Sequence, residues 1–145
     1  MKKIIIGLLS LLIVMIVLFH LFTFNHVWQD SDLRDTIVES VQTSSAIDFS
    51  KITDFEWDRM YILHPYTPVD MVFEEEGIKI PNNNFNVEYF ESINMLAFIK
   101  EDRLVTFVEI PRDICRAKFD KNVIRFNKGE AKFDILKEEK MIVFK

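Results

Sequence analysis

Residues 55–68 read "FEWDRMYILHPYTP". From Phe55 to Leu63 the residues alternate. Trp57, Arg59, Tyr61 and Leu63 are expected to face one way and Asp58, Met60 and Ile62 the other, and a period of two marks a strand. Thr67-Pro68 then opens a short helix. Thr67 is a good cap, Pro68 sits where a missing N–H costs nothing, and Asp70 completes the spacing of a capping box. Val69, Val72 and Phe73 form the apolar face of this helix, and Gly77 ends it. A strand running into a capped helix makes Phe55, Trp57 and Tyr61 core residues and Pro65 and Pro68 turn residues. The competing reading leaves Trp57 and Tyr61 exposed as one aromatic ridge, the kind of surface that dominates interfaces, with His64 and Tyr66 beside it. Trp57, Tyr61, His64 and Tyr66 are therefore the candidate binding residues.

Either side of this stretch the pattern continues as helix, then sheet. Leu33, Ile37 and Val41 recur every four residues and predict a helix capped by Asp30, Ser31 or Asp32. Thr43 to Asp54 reads as polar wrapping. Asn94–Lys100 and Leu104–Ile110 flank Glu101-Asp102-Arg103 and predict a hairpin. Both strands are almost wholly apolar, so they are expected in the middle of a sheet covered on both faces. Val123–Phe126 is a short strand, Ala131, Phe133 and Ile135 alternate inward, and Met141–Phe144 closes the chain. The expected fold is α+β, with an antiparallel sheet of about five strands, two short helices and the helices on one face.

The first 24 residues differ in kind. After Met1-Lys2-Lys3, the run from Ile4 to Phe24 carries no formal charge over 21 residues. As a helix it would be about 31 Å long, matching a hydrocarbon core of roughly 30 Å. A cleaved signal peptide has a shorter apolar region and small residues at its cut site, whereas the first alanine here is Ala46. Residues 1–24 are read as an uncleaved transmembrane anchor and 25–145 as a single domain. Lys2 and Lys3 precede the span and only Arg34 follows it closely, so the amino terminus is expected in the cytoplasm and the domain outside. Phe22, Phe24, His26 and Trp28 suit the outer interfacial belt. His20, near the end of the span, is read as an interfacial imidazole.

The central phrase resembles small bacterial exported proteins that carry an N-terminal lipoprotein signal or anchor and then Phe-x-Trp-Asp-x-x-Tyr-Ile-x-x-Pro-Tyr-Thr. Phe55, Trp57, Asp58, Tyr61, Ile62, Pro65, Tyr66 and Thr67 fit that phrase, and the likeness continues loosely through "LAFIKEDRLVTFVEIPR". The resemblance covers about half of the outer domain. It implies an outward-facing, surface-attached protein and no particular activity. This chain departs from the pattern in lacking a lipid-bearing cysteine and in having "EEEGIKI" at the helix end.

Charge and residue supply bound the chemistry. Residues 25–110 hold 6 cations and 17 anions, and residues 111–145 hold 10 and 6. An acidic outer domain argues against nucleic acid, whose phosphates require a basic footprint. The sole cysteine, Cys115, permits no internal disulfide and reads as a small packed hydrophobe. His64 has no serine elbow, cysteine partner or HExxH around it. Glu74, Glu75 and Glu76 form an acidic edge. Together with Asn82–Asn84 they match no calcium loop, so no metal and no cofactor is expected. The cations between Arg112 and Lys128 alternate with apolar residues and read as the wet face of a strand. The expected function is a membrane-anchored extracytoplasmic binding or regulatory module with a protein partner, not an enzyme. The alternatives are a self-protection or exclusion protein at the envelope, or a small enzyme using His64.

Overall fold

The computed structural model describes residues 2–24, 26–81, 84–117 and 121–144. The side chains of Ile4, His20, Phe22 and Phe24 lie outside this description, as do Asn82, Asn83, Lys118 and Phe119. Helix α1 spans Lys2–Phe24 and helix α2 spans Ser31–Thr43. Asp30 caps α2 by accepting the N–H of Leu33 at 2.8 Å, and Leu33, Ile37 and Val41 are its buried stripe, as the spacing predicts.

Eight strands follow within the described residues: β1 Ala46–Asp48, β2 Arg59–Leu63, β3 Ile93–Lys100, β4 Arg103–Pro111, β5 Cys115–Ala117, β6 Val123–Asn127, β7 Lys132–Leu136 and β8 Met141–Phe144. The single turn of helix α3, Phe49–Ile52, follows β1, and α4, Val69–Glu75, follows β2. The fold is α+β, but the strands divide into two sheets of four, ordered β4-β3-β2-β6 and β1-β7-β8-β5. This corrects the expectation of one sheet of about five. All pairings are antiparallel except β5 with β8.

The two-sheet arrangement explains the apolar strands. One cluster lies between the sheets. It joins Met60, Ile62, Leu96, Phe98, Val108 and Ile110 of the first sheet to Ile47, Phe133, Ile135, Ile142 and Phe144 of the second, with α2 at its side. The other cluster covers the opposite face of the first sheet, where Tyr61, Leu63, Met95, Ala97 and Ile99 meet Val69 and Phe73 of α4 and Phe85 and Val87. Strand β3 is therefore buried on both faces, as its sequence predicts. Strand β4 is an edge strand rather than a central one. The incoming chain partly covers that edge, with Asp30 N–H donating to the Phe107 carbonyl at 3.0 Å. The helices are not segregated either, because α2 belongs to one cluster and α4 to the other.

The opening stretch folds differently in two details. The register of β2 begins at Arg59; the chain bends at Asp58, whose N–H still donates to the Ile99 carbonyl at 2.8 Å and whose carbonyl accepts the Lys128 N–H at 2.9 Å, while its side chain holds the β3–β4 hairpin. Its carboxylate accepts the N–H of Glu101 at 2.7 Å and a bond from Lys100 Nζ at 3.2 Å. Glu101 has φ 55°, so this turn residue sits in the left-handed region and is held there by Asp58. The alternation therefore does not extend back to Trp57, which packs between the sheets on Phe98 at 5.2 Å while Tyr61 faces α4. At the start of α4, Thr67 supplies no cap. Its hydroxyl points to the Asn122 carbonyl at 3.5 Å, and Glu88 accepts the Val69 N–H at 2.8 Å instead. Gly77 ends α4 at φ 69°, with Ile78 N–H returning to the Phe73 carbonyl at 2.7 Å in a Schellman closure.

Candidate functional site

The sequence candidates separate into structural and available groups. Trp57 and Tyr61 are each 1% exposed. Trp57 Nε1 donates to Thr53 Oγ1 at 2.8 Å, and the Tyr61 hydroxyl donates to Glu76 Oε2 at 3.1 Å. Burial, and then the Glu76 carboxylate, push the Tyr61 phenol above its usual range. Neither ring is offered to a partner. The acidic edge also divides. Glu76 is engaged by Tyr61 and lies 3.7 Å from Arg125, so it ties α4 to β2 and β6, while Glu74 and Glu75 are exposed. The Arg125–Glu76 pair thus compensates part of the charge asymmetry between the two segments, whereas Arg116 meets Glu139 within the basic segment at 3.7 Å.

His64 and Tyr66 are left, and the chain between them explains their placement. Thr67 N–H returns to the His64 carbonyl at 3.2 Å, enclosing Pro65 and Tyr66 in a four-residue turn. Tyr66 has φ 63°. Pro followed by a positive φ is the type II pattern, whose third position favours Gly or Asn because any Cβ crowds the carbonyl. A tyrosine there is strained, and its ring is 61% exposed. The Tyr66 N–H donates to the Val87 carbonyl at 2.8 Å, which brings this turn beside the segment bearing Tyr89 and Phe90, both exposed. Three large exposed rings therefore lie on two hydrogen-bonded segments.

That second segment is fixed by a residue the sequence reading missed. Glu109 on β4 is buried, accepts the Val87 N–H at 3.0 Å and accepts from Asn86 Nδ2 at 2.7 Å. A charged residue inside "LVTFVEI" was the available signal, but its partners lie more than twenty residues away.

His64 faces the other way. Extending the register Leu63↔Met95 by one residue sets it opposite Asn94, on the face that looks between the sheets. There the chain crosses from β4 to β5 through Arg112, Asp113 and Ile114. A cleft of about 540 Å³ opens at this crossing, lined by His64, Glu91, Asn94, Arg112, Asp113 and Arg116 among others. Burial, and secondarily the Arg112 charge, hold the His64 imidazole below its usual range, so it is neutral at neutral pH. Cys115 also lines the cleft, but it is fully buried and its thiol is pushed far up by that burial, which rules out a reactive thiolate.

No protein-family model, curated protein or solved structure matches the chain. Among the described residues no helix is long and apolar enough to cross a membrane. Among them, too, no group of three His, Cys, Asp or Glu side chains could hold a metal ion.

Proposed function

We propose that this protein is a membrane-anchored extracytoplasmic binding module. In this reading residues 1–24 hold the domain of 25–145 at the outer face of the bilayer, and Tyr66, Tyr89 and Phe90 receive a protein partner. The observation that carries the reading is α1. From residue 7 to residue 19 every side chain is exposed, and almost all are Leu, Ile, Val, Met or Phe. A helix whose described side chains are nearly all apolar and exposed on every face is suited to lipid or another protein around it. The described side chains cover only about 20 Å of helix, short of a span; the reading adds the uncharged sequence on either side, Ile4 to Phe24, which as a helix is about 31 Å long against a hydrocarbon core of roughly 30 Å. Trp28, 72% exposed and edge-on to His26 at 4.5 Å, follows the helix where an interfacial aromatic belongs.

The partner surface rests on Tyr66. Strained backbone is retained where function selects it, tyrosine is enriched among interface hot spots, and aromatic rings carry much of interface energetics. The test has two arms. The full-length protein should stay with membranes through alkaline carbonate extraction. Brief cross-linking in its host, followed by mild-detergent purification, should recover a stoichiometric envelope protein that a Tyr66→Ala, Tyr89→Ala, Phe90→Ala variant no longer retains. Release by carbonate would defeat the anchor, and unchanged recovery by the variant would defeat the aromatic surface.

A further inference from the structure

The cleft at the crossing between the sheets holds chemistry that neither anchoring nor an aromatic surface uses. Asn94 is 2% exposed. Its Nδ2 donates to the Cys115 carbonyl at 2.6 Å, which fixes the amide and leaves Oδ1 as an acceptor. Among the described residues, Asn94 Oδ1 and His64 Nε2 are buried side-chain atoms with no hydrogen-bond partner. They belong to residues one step beyond the Leu63↔Met95 pair of β2 and β3, and both residues line the cleft. Buried polar atoms are nearly always paired, so two exceptions lining one cleft mark a place where a polar group is expected to bind.

The size and charge of the cleft narrow that group. A single bridging water needs roughly 30 Å³, far less than the cleft offers, whereas small-molecule sites run from about 300 to 1,000 Å³. Arg112, Arg116, Glu91 and Asp113, all exposed, bring charges of both signs to its lining, with Arg116 also 3.7 Å from Glu139. Arg112 is anchored through its backbone N–H to Ser92 O at 3.0 Å and through Nη1 to Glu91 O at 3.4 Å, which leaves further guanidinium N–H groups for a ligand. A simple anion would face the two carboxylates, and a simple cation would face the two guanidiniums. A ligand carrying both charges satisfies both pairs.

We propose that this cleft binds a free α-amino acid as its zwitterion. The carboxylate lies against Arg112, with Arg116 beside it. The ammonium donates to Asn94 Oδ1 and is balanced by Glu91 and Asp113, and neutral His64 contacts the ligand through Nε2. The site does not depend on the tether or on a protein partner, and it is a binding site with no bond made or broken.

The test uses full-length protein in detergent micelles. Each standard free amino acid is titrated in while the His64 imidazole resonances are followed by NMR and affinity by calorimetry. α-Hydroxy acids, acetate and methylamine are run in parallel. At least one amino acid should bind and shift His64, while acetate and methylamine do not. Arg112→Gln, a change at an exposed side chain, should weaken binding about tenfold or more, since hydrogen bonds to charged groups are the strong ones. His64→Gln should keep a polar contact and weaken binding less. Three results would each overturn the proposal: no amino acid binding up to millimolar concentration, acetate binding as well as amino acids, or Arg112→Gln binding unchanged. Because Arg112 and His64 lie at the surface end of the sheets, a folding failure in a buried Asn94 variant would not obscure the outcome.

Discussion

Glu109 offers the sharpest test of how the aromatic segment is held. Replacing it with leucine keeps the bulk and removes both acceptors. Val87 N–H then stays in the core without a partner, at a cost of about 1–3 kcal/mol. Asn86 is exposed and turns to water, so its lost bond adds little. The leucine recovers some apolar burial. The expected net loss is about 1–2 kcal/mol, which for a domain of this size lowers Tm by roughly 5 °C. Glu109→Gln keeps one acceptor for Val87 but loses the charge from both bonds, for a loss of about 1 kcal/mol. Thermal and urea unfolding give the ranking, and hydrogen exchange gives the location. Protection should fall first at the amides of Tyr66, which donates to Val87 O, and of Val69, which donates to Glu88. A Glu109→Leu protein within ~0.5 kcal/mol of wild type, with Tyr66 protection intact, would refute the reasoning.

Other outcomes follow from the same structure. Trp57→Ala should cost about 3–5 kcal/mol as a large core truncation, read by denaturant unfolding; a stable variant that had lost only its partner would place Trp57 on the surface. Tyr66→Gly should stabilise the domain by about 1 kcal/mol by relieving the positive φ while weakening partner capture, and a destabilised variant would mean the turn is unstrained. His64 adds a pH dependence. Its folded pKa lies below the usual 6.5, so the unfolded chain binds the proton more readily; stability is present above that value and is lost as pH falls through the folded pKa. Between about pH 7 and pH 5 the wild-type stability should therefore decline more steeply than that of His64→Gln, and identical profiles would show that the imidazole is not buried.

The sequence made some parts of this fold plain and left others out of reach, for physical reasons. The α2 stripe, the β3–β4 hairpin and the alternation of β7 repeat often enough to be read locally. Strands β1 and β5 have three residues each, too few for any period to appear. Division into two sheets depends on long-range pairings such as Cys115↔Ile142 and Ile47↔Phe133, which no local pattern carries. Strict alternation sets Trp57 on the face of Tyr61, but the chain bends at Asp58 and Trp57 joins the cluster between the sheets. The spacing around Thr67 suggests a cap for α4 that Glu88, 19 residues from Val69, supplies instead. Of the candidate site, His64 and Tyr66 were legible as unusual residues. The cleft was not, because its walls come from separate segments of chain that meet only where β4 crosses to β5.

Membrane anchoring with the domain outside is the central claim, and cysteine accessibility tests it most directly. Cys115 is buried, so the native protein carries little background for a thiol reagent. Ser45 is exposed, and a Ser45→Cys variant should react with a membrane-impermeant maleimide in intact host cells, whereas a cysteine placed at Lys3 should react only after lysis. Labelling of Ser45→Cys only after lysis would contradict the account.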